Sequence, residues 1–196
     1  MSAHRVRGAA LPRGEVTLAI RAAVLAELAQ HGYARVSVEA VARRAGVGKA
    51  AIYRRWPSKL ELVGDVIGDV LVRPENAPAA DDLRADLRGL LESFGALLSR
   101  PDLPAIMADL ASEALRTPEL AARITTMVGD PTRDQANEIL DRAIGRGELR
   151  ADLDREAALD LTMSALYWRV VVRRRTLRAG DLDRFTTAIT AGLATL

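Results

Sequence analysis

The chain has 196 residues, 49% of them hydrophobic and 28% charged, the composition of a folded protein with mass enough for a core without covalent staples. It has no cysteine and only two histidines, His4 and His31. Disulfides, thiolate metal sites and a cysteine nucleophile are therefore excluded, and a multi-histidine zinc site or a histidine-dependent triad has almost nothing to draw on; no metal and no cofactor are expected. The formal net charge of +2 conceals an asymmetry: residues 1–63 carry eleven basic side chains against four acidic ones, and the remainder carries seventeen against twenty-two. A basic end on an acidic body suits a polyanionic partner; the alternative is an ordinary solvated surface.

Residues 1–12 read as a flexible basic arm with Arg5 and Arg7. The arm lacks the apolar stretch of a secretory signal, and no apolar run in the chain approaches the ~20 residues of a membrane span, so a cytoplasmic location without a membrane partner is expected. The periodicity then predicts helices throughout. The first covers residues 13–31, with Val16, Ile20, Ala23, Val24 and Leu28 on one stripe and Gly32 at its end. A short second helix follows Ser37, an N-cap residue, and buries Val38, Val41, Ala42 and Ala45 before Gly46. A third runs from Lys49 to Trp56, with Ile52 and Trp56 inward, and stops at Pro57. Ser58 to Glu61 forms a capping box that opens a fourth helix, residues 58–72, which connects two domains.

Residues 73–80, with two prolines and no periodicity, form the clearest linker. Beyond them helices restart after Asp82, Asp102, Thr117-Pro118 and Asp130-Pro131, the proline marking a first helical position. A long helix over residues 154–175 carries Leu159, Met163, Leu166 and Val170 on one face, and Arg173, Arg174 and Arg175 suit its negative end. A last helix follows Asp181, which with Asp183 reads as its cap. The expected fold is all-α, with about nine or ten helices: a helix-turn-helix domain over residues 13–60 and a larger helical bundle over residues 61–196.

The turn Ala45-Gly46-Val47-Gly48 joins two short helices as a helix-turn-helix would. With Ile52 and Trp56 inward, Lys49, Ala50, Tyr53, Arg54 and Arg55 are left outside: small residues for close approach, donors for base edges and cations for phosphates. A generic basic amphipathic helix is the plainer alternative.

Residues 20–63 resemble the DNA-binding domain of the tetracycline-repressor family of bacterial regulators. The resemblance is carried by Gly32-Tyr33, by the run from Ser37 to Val47 and by the run from Ala51 to Lys59. Residues 147–154 resemble the segment leading into the long penultimate helix of many such regulators. The resemblance implies that Lys49 and Ala50 face base edges, that Tyr53, Arg54 and Arg55 contact phosphates, with one arginine reading guanine, and that Lys59 and Ser37 hold phosphates at helix starts. Gly48 and Ala51 stand where hydroxyls are common in the family, which shifts weight to Lys49, Arg54 and Arg55. Arg43 and Arg44 read as a solvated face with phosphate as the alternative, and an arm with Arg5, Arg7 and Arg13 as a solvated tail with the minor groove as the alternative.

The resemblance also implies an effector-binding and dimerising second domain. Candidate cavity residues are Phe94, Leu98, Met107, Leu110 and Met127, with Met163, Leu166, Tyr167 and Trp168 from the long helix; for each, plain core packing is the alternative. Leu161, Ala165, Trp168 and Val172 lie off the inner face of that helix and, with Phe185 and Ile189, are the expected homodimer surface; packing under residues 131–146 is the alternative. The implied function is a repressor that binds a pseudo-palindromic duplex operator as a dimer and is released by a small molecule. An activator or a protein-regulated DNA-binding protein is the alternative within the fold. A helical enzyme is the alternative of another class, with no nucleotide-binding or zinc-protease motif to support it.

Overall fold

The computed structural model describes residues 13–71 and 80–196, which form helices and no strand. The basic arm of residues 1–12 and most of the linker lie outside the described residues. Four helices build the N-terminal part: α1 (Arg13–Arg35), α2 (Val38–Ala45), α3 (Lys49–Tyr53) and α4 (Lys59–Leu71). Six follow: α5 (Leu83–Leu98), α6 (Leu103–Ala114), α7 (Pro118–Ile124), α8 (Asp130–Gly145), α9 (Arg155–Tyr167) and α10 (Asp181–Leu193).

The expected caps divide into two kinds. Ser37, Asp82 and Asp154 each accept a backbone N–H of the first turn, at 3.1, 2.7 and 3.1 Å. Asp102 and Thr117 make no such bond, and α6 and α7 start instead on a proline in the first turn, where its missing N–H costs nothing. Half of the predicted capping box forms: Ser58 Oγ accepts the Glu61 N–H at 3.1 Å. The Glu61 carboxylate is engaged elsewhere, 2.6 Å from Arg123 of α7.

Two π turns depart from the sequence reading. Asp130-Pro131 does not start a separate helix: α7 runs through a π turn at Thr125–Gly129 directly into α8. Pro131 cannot donate to the carbonyl four residues back and crowds it, and the widened turn absorbs that defect without breaking the helical path. The second π turn, Trp168–Val172, ends α9, so the helical path stops at Val172 and the exposed Arg173 to Arg175 follow it. It also shifts the inner face. Ala158, Thr162 and Leu166 are buried at steps of four, and the next buried residue is Val171, five positions on, where the unbroken period had put Val170.

The side chains collect in two apolar clusters. The first joins Ile20, Val24 and Leu28 of α1, Val41 of α2, Ile52 of α3 and Val66 of α4. It also takes in Ile106 and Leu110 of α6 and Leu120 of α7, so the first domain's core extends past residue 60 into the second domain's helices. The second cluster joins Leu87, Leu91 and Leu98 of α5, Leu140 of α8, Leu166 of α9 and Ile189 of α10. Each such side chain contributes about 1.5–3 kcal/mol by leaving water.

Two buried carboxylates tie the second domain's helices together. Asp86 of α5 accepts from the Ala80 N–H at 3.1 Å, from Arg142 at 2.8 Å and from Arg146 at 3.2 Å. Burial pushes its carboxyl up, but these donors outweigh it and hold the group below the usual range. Asp181 does not cap α10, as its position suggested, but serves as a buried clamp. It accepts the Arg178 N–H at 2.7 Å and pairs with Arg169 at 2.6 Å and with Arg184. The Arg178 N–H, then Arg169, drive its carboxyl far down. Depressed carboxylates add stability that is complete above their unfolded value, near 3.9, and is lost as pH falls through the folded value. Urea midpoints should therefore be level from pH 8 to 5 and drop below pH 4. Asp181→Asn should lower the neutral midpoint and flatten that acid limb, which denaturation at a series of pH values checks.

Candidate DNA interface and ligand cavity

The helix-turn-helix is set by local chemistry. Gly46, at φ 66° and ψ 29°, occupies the left-handed position that closes α2, its N–H donating to Ala42 and Arg43 carbonyls. Helical hydrogen bonds then carry α3 on to Trp56, whose N–H meets the Ile52 carbonyl at 3.0 Å. Ile52 and Trp56 are buried in the first apolar cluster, and the Trp56 indole N–H donates to Asp65 of α4 at 2.9 Å. That anchoring fixes which face of α3 looks outward.

Lys49, Ala50, Tyr53, Arg54 and Arg55 all lie on the exposed side of α3 and its last turn, and Tyr53 is 49% exposed. Lys49 is held by Glu39 of α2, whose hydrogen bond raises the ammonium's pKa and lowers the carboxyl's. Arg55 donates to the Thr17 hydroxyl of α1. Arg54 makes no ion pair with any described residue. Ser37 is partly buried and already engaged as a cap.

Lys59 sits differently from the sequence expectation. It is partly buried, its ammonium 3.0 Å from the Tyr33 carbonyl and 4.3 Å from the centre of the Tyr33 ring. Burial pushes its pKa below the usual lysine value, opposed by Glu113. Arg43 and Arg44 also part company. Arg43 is exposed and unpaired among the described residues, whereas Arg44 bonds to Glu27 of α1 at 2.7 Å, and Glu27 is only 4% exposed. Arg44 therefore neutralises a buried carboxylate that would otherwise be costly.

Sequence reasoning did not find the junction between the two domains. Gly32 adopts φ 70° and ψ 167°, a region open essentially to glycine. The next residue, Tyr33, donates its N–H to Asp109 of α6 at 2.7 Å. A separation of 76 positions leaves no local signal for that bond.

A cavity of about 1350 Å³ opens among α4, α5, α6, the first π turn, α8 and α9. Of the predicted lining, Phe94, Met107, Met163 and Tyr167 face it. Leu98 and Leu166 are core residues of the second cluster and Leu110 of the first, while Met127 packs against Gly68 of α4. The sequence reading missed Val70 and Leu71, the end of α4, which also line it. Among the expected interface residues, Leu161 lines the cavity and touches Gly192. Ala165 is half-buried, Phe185 lies under Arg169 at 4.7 Å, and Ile189 is 2% exposed within the chain's own core. Trp168 and Val172, one helical turn apart, are 59% and 48% exposed. No described helix is long and apolar enough to cross a membrane.

An all-helical chain with a buried-backed helix-turn-helix at one end and a helical bundle at the other defines a DNA-binding transcriptional regulator. The chain belongs to the tetracycline-repressor family. Residues 20–66 match the family described as bacterial regulatory proteins of the tetR family, and residues 77–189 match the tetracyclin repressor-like C-terminal domain. Among curated relatives, the DNA-binding transcriptional repressor TetR of Mycobacteroides abscessus is 32% identical over 82% of this chain and 85% of its own. An uncharacterised HTH-type transcriptional regulator of Mycobacterium tuberculosis is 33% identical over 84% of this chain and 79% of its own. The crystal structure of the TetR family transcription regulator SCO0332 superposes with a TM-score of 0.66 at 30% identity, covering 92% of this chain and 97% of that one. FadR of Bacillus subtilis, crystallised with stearoyl-CoA, shares the fold at a TM-score of 0.68 and 18% identity, over 91% and 97% of the two chains.

Proposed function

We propose that the protein is a repressor acting in the bacterial cytoplasm, that it binds a pseudo-palindromic operator as a homodimer, and that a small molecule in the cavity releases it. The observation that carries the DNA reading is the outward face of α3, where Lys49, Tyr53, Arg54 and Arg55 are exposed on a helix whose other side is pinned by Ile52 and Trp56. The repressor name of the Mycobacteroides abscessus relative supports the sign of regulation. Trp168 and Val172 supply the apolar face for a second copy. The release mechanism follows from α6: Met107 lines the cavity, and Asp109, two residues on and so on the far side of the helix, holds Tyr33 of the DNA-binding domain. An occupant that shifts α6 or the Val70-Leu71 end of α4 moves the α3 face with it.

In this reading Lys49 leaves Glu39 for a base edge on the operator. Lys49→Ala should weaken the operator by about 1–3 kcal/mol, roughly five- to 150-fold, and random duplex much less. Competition binding on both duplexes tests this, and equal loss on the two would make Lys49 a phosphate contact.

A further inference from the structure

The charge of the cavity wall is one-sided. Among the described residues, three carboxylates, Glu92, Glu156 and Asp160, line it against a single guanidinium, Arg133, and Arg133 lies 3.1 Å from Glu156 and is thereby engaged. Glu92 is held by Arg88 at 2.7 Å. Asp160 is exposed and has no ion-pair partner among the described residues. It stands on the stripe of α9 that continues through Met163 and Ser164 to Tyr167, all at the cavity wall, and Phe94 faces the same space from α5. The rest of the wall is mostly aliphatic.

From this wall, and resting on the reading of the cavity as an effector site, we infer that the ligand is a bulky apolar cation, an organic ammonium or phosphonium. Three features select that class. An unpaired carboxylate at the cavity wall attracts positive charge and repels negative charge. Aromatic faces, here Phe94 and Tyr167, favour a cation over an anion. The volume exceeds that of an ordinary drug-sized pocket, so the charge is carried on a large hydrophobic body. Among the described residues of the wall no cation is free for a polyanion such as a coenzyme A thioester, the kind of ligand in the stearoyl-CoA complex of FadR.

The test uses three probes of similar shape on the purified full chain, followed by calorimetric titration: tetraphenylphosphonium, tetraphenylborate and neutral triphenylphosphine oxide. The phosphonium should bind one per chain and at least tenfold more tightly than the borate. Asp160→Asn should weaken the phosphonium fivefold or more and leave the phosphine oxide unchanged, and Met163→Trp, which fills the cavity, should weaken both. Borate binding as tight as phosphonium, or indifference of the phosphonium to Asp160→Asn, overturns the cationic class. The effector cavity then stands so long as Met163→Trp displaces whichever probe binds. If no probe of any charge binds, the effector reading falls together with the inference.

Discussion

The double variant Trp168→Glu, Val172→Glu should be a folded monomer that has lost at least a hundredfold in operator affinity. The two side chains are 59% and 48% exposed one turn apart on the second π turn, which packs on α6, while α9 before it packs on α5 and α10. Covering them in a symmetric contact removes apolar surface worth about 4 kcal/mol per copy, and a carboxylate at each position replaces that gain with two buried like charges across the two-fold axis. A helix-turn-helix reads one half-site, so loss of the second copy forfeits half of the contacts. Sedimentation velocity reads the mass, and circular dichroism confirms that the helices remain. A dimer that survives both charges moves the interface elsewhere. Ile189→Glu could not serve for this purpose: although its position on α10 suggested an outer face, Ile189 is inside the chain's own core, and a charge there would unfold the bundle.

Gly32→Ala should cost the DNA-binding domain about 3 kcal/mol, most of what such a domain has to spare. Two independent effects combine. The backbone at φ 70° and ψ 167° is closed to side chains, and a Cβ there would lie 2.5 Å from the Asp109 carboxylate. The second effect can be separated from the first. Gly32→Ala with Asp109→Ala relieves the collision but keeps the backbone strain and gives up the Tyr33 hydrogen bond, so the two losses should not add. Urea denaturation of the two single variants and the pair measures that coupling. Strict additivity would mean that the added Cβ does not collide with the Asp109 carboxylate.

What the sequence could and could not disclose follows the range of each interaction. The helix-turn-helix was legible because its determinants are local: the Ser37 cap, the left-handed Gly46, and Ile52 four residues before Trp56. The same locality pointed to about nine or ten helices, against ten α-helices among the described residues, and to the outward face of α3. The π turns were not legible. Asp130-Pro131 has the chemistry of a helix start, and only the surrounding packing keeps the path continuous through it. The turn at Trp168–Val172 moved the inner position from Val170 to Val171, which no period of 3.6 foresees.

Arg43 and Arg44 are indistinguishable in sequence; the fold gives one of them Glu27 and leaves the other exposed. Lys59 has the residue type of a phosphate contact, and its ammonium is taken by the Tyr33 carbonyl and ring. The cavity was half legible, because Phe94, Met107, Met163 and Tyr167 combine the right chemistry with the right face, whereas Leu98, Leu110 and Leu166 have the same chemistry and face a core.

The most direct test of the central claim is selection of bound duplexes from a random library by the intact protein, run beside the variant Arg54→Ala, Arg55→Ala. The account predicts that the unmodified protein enriches an inverted repeat, with half-sites about one helical turn or a multiple of it apart, and that the variant enriches nothing. Enrichment of the same repeat by the variant, or no enrichment by the unmodified protein, would contradict it.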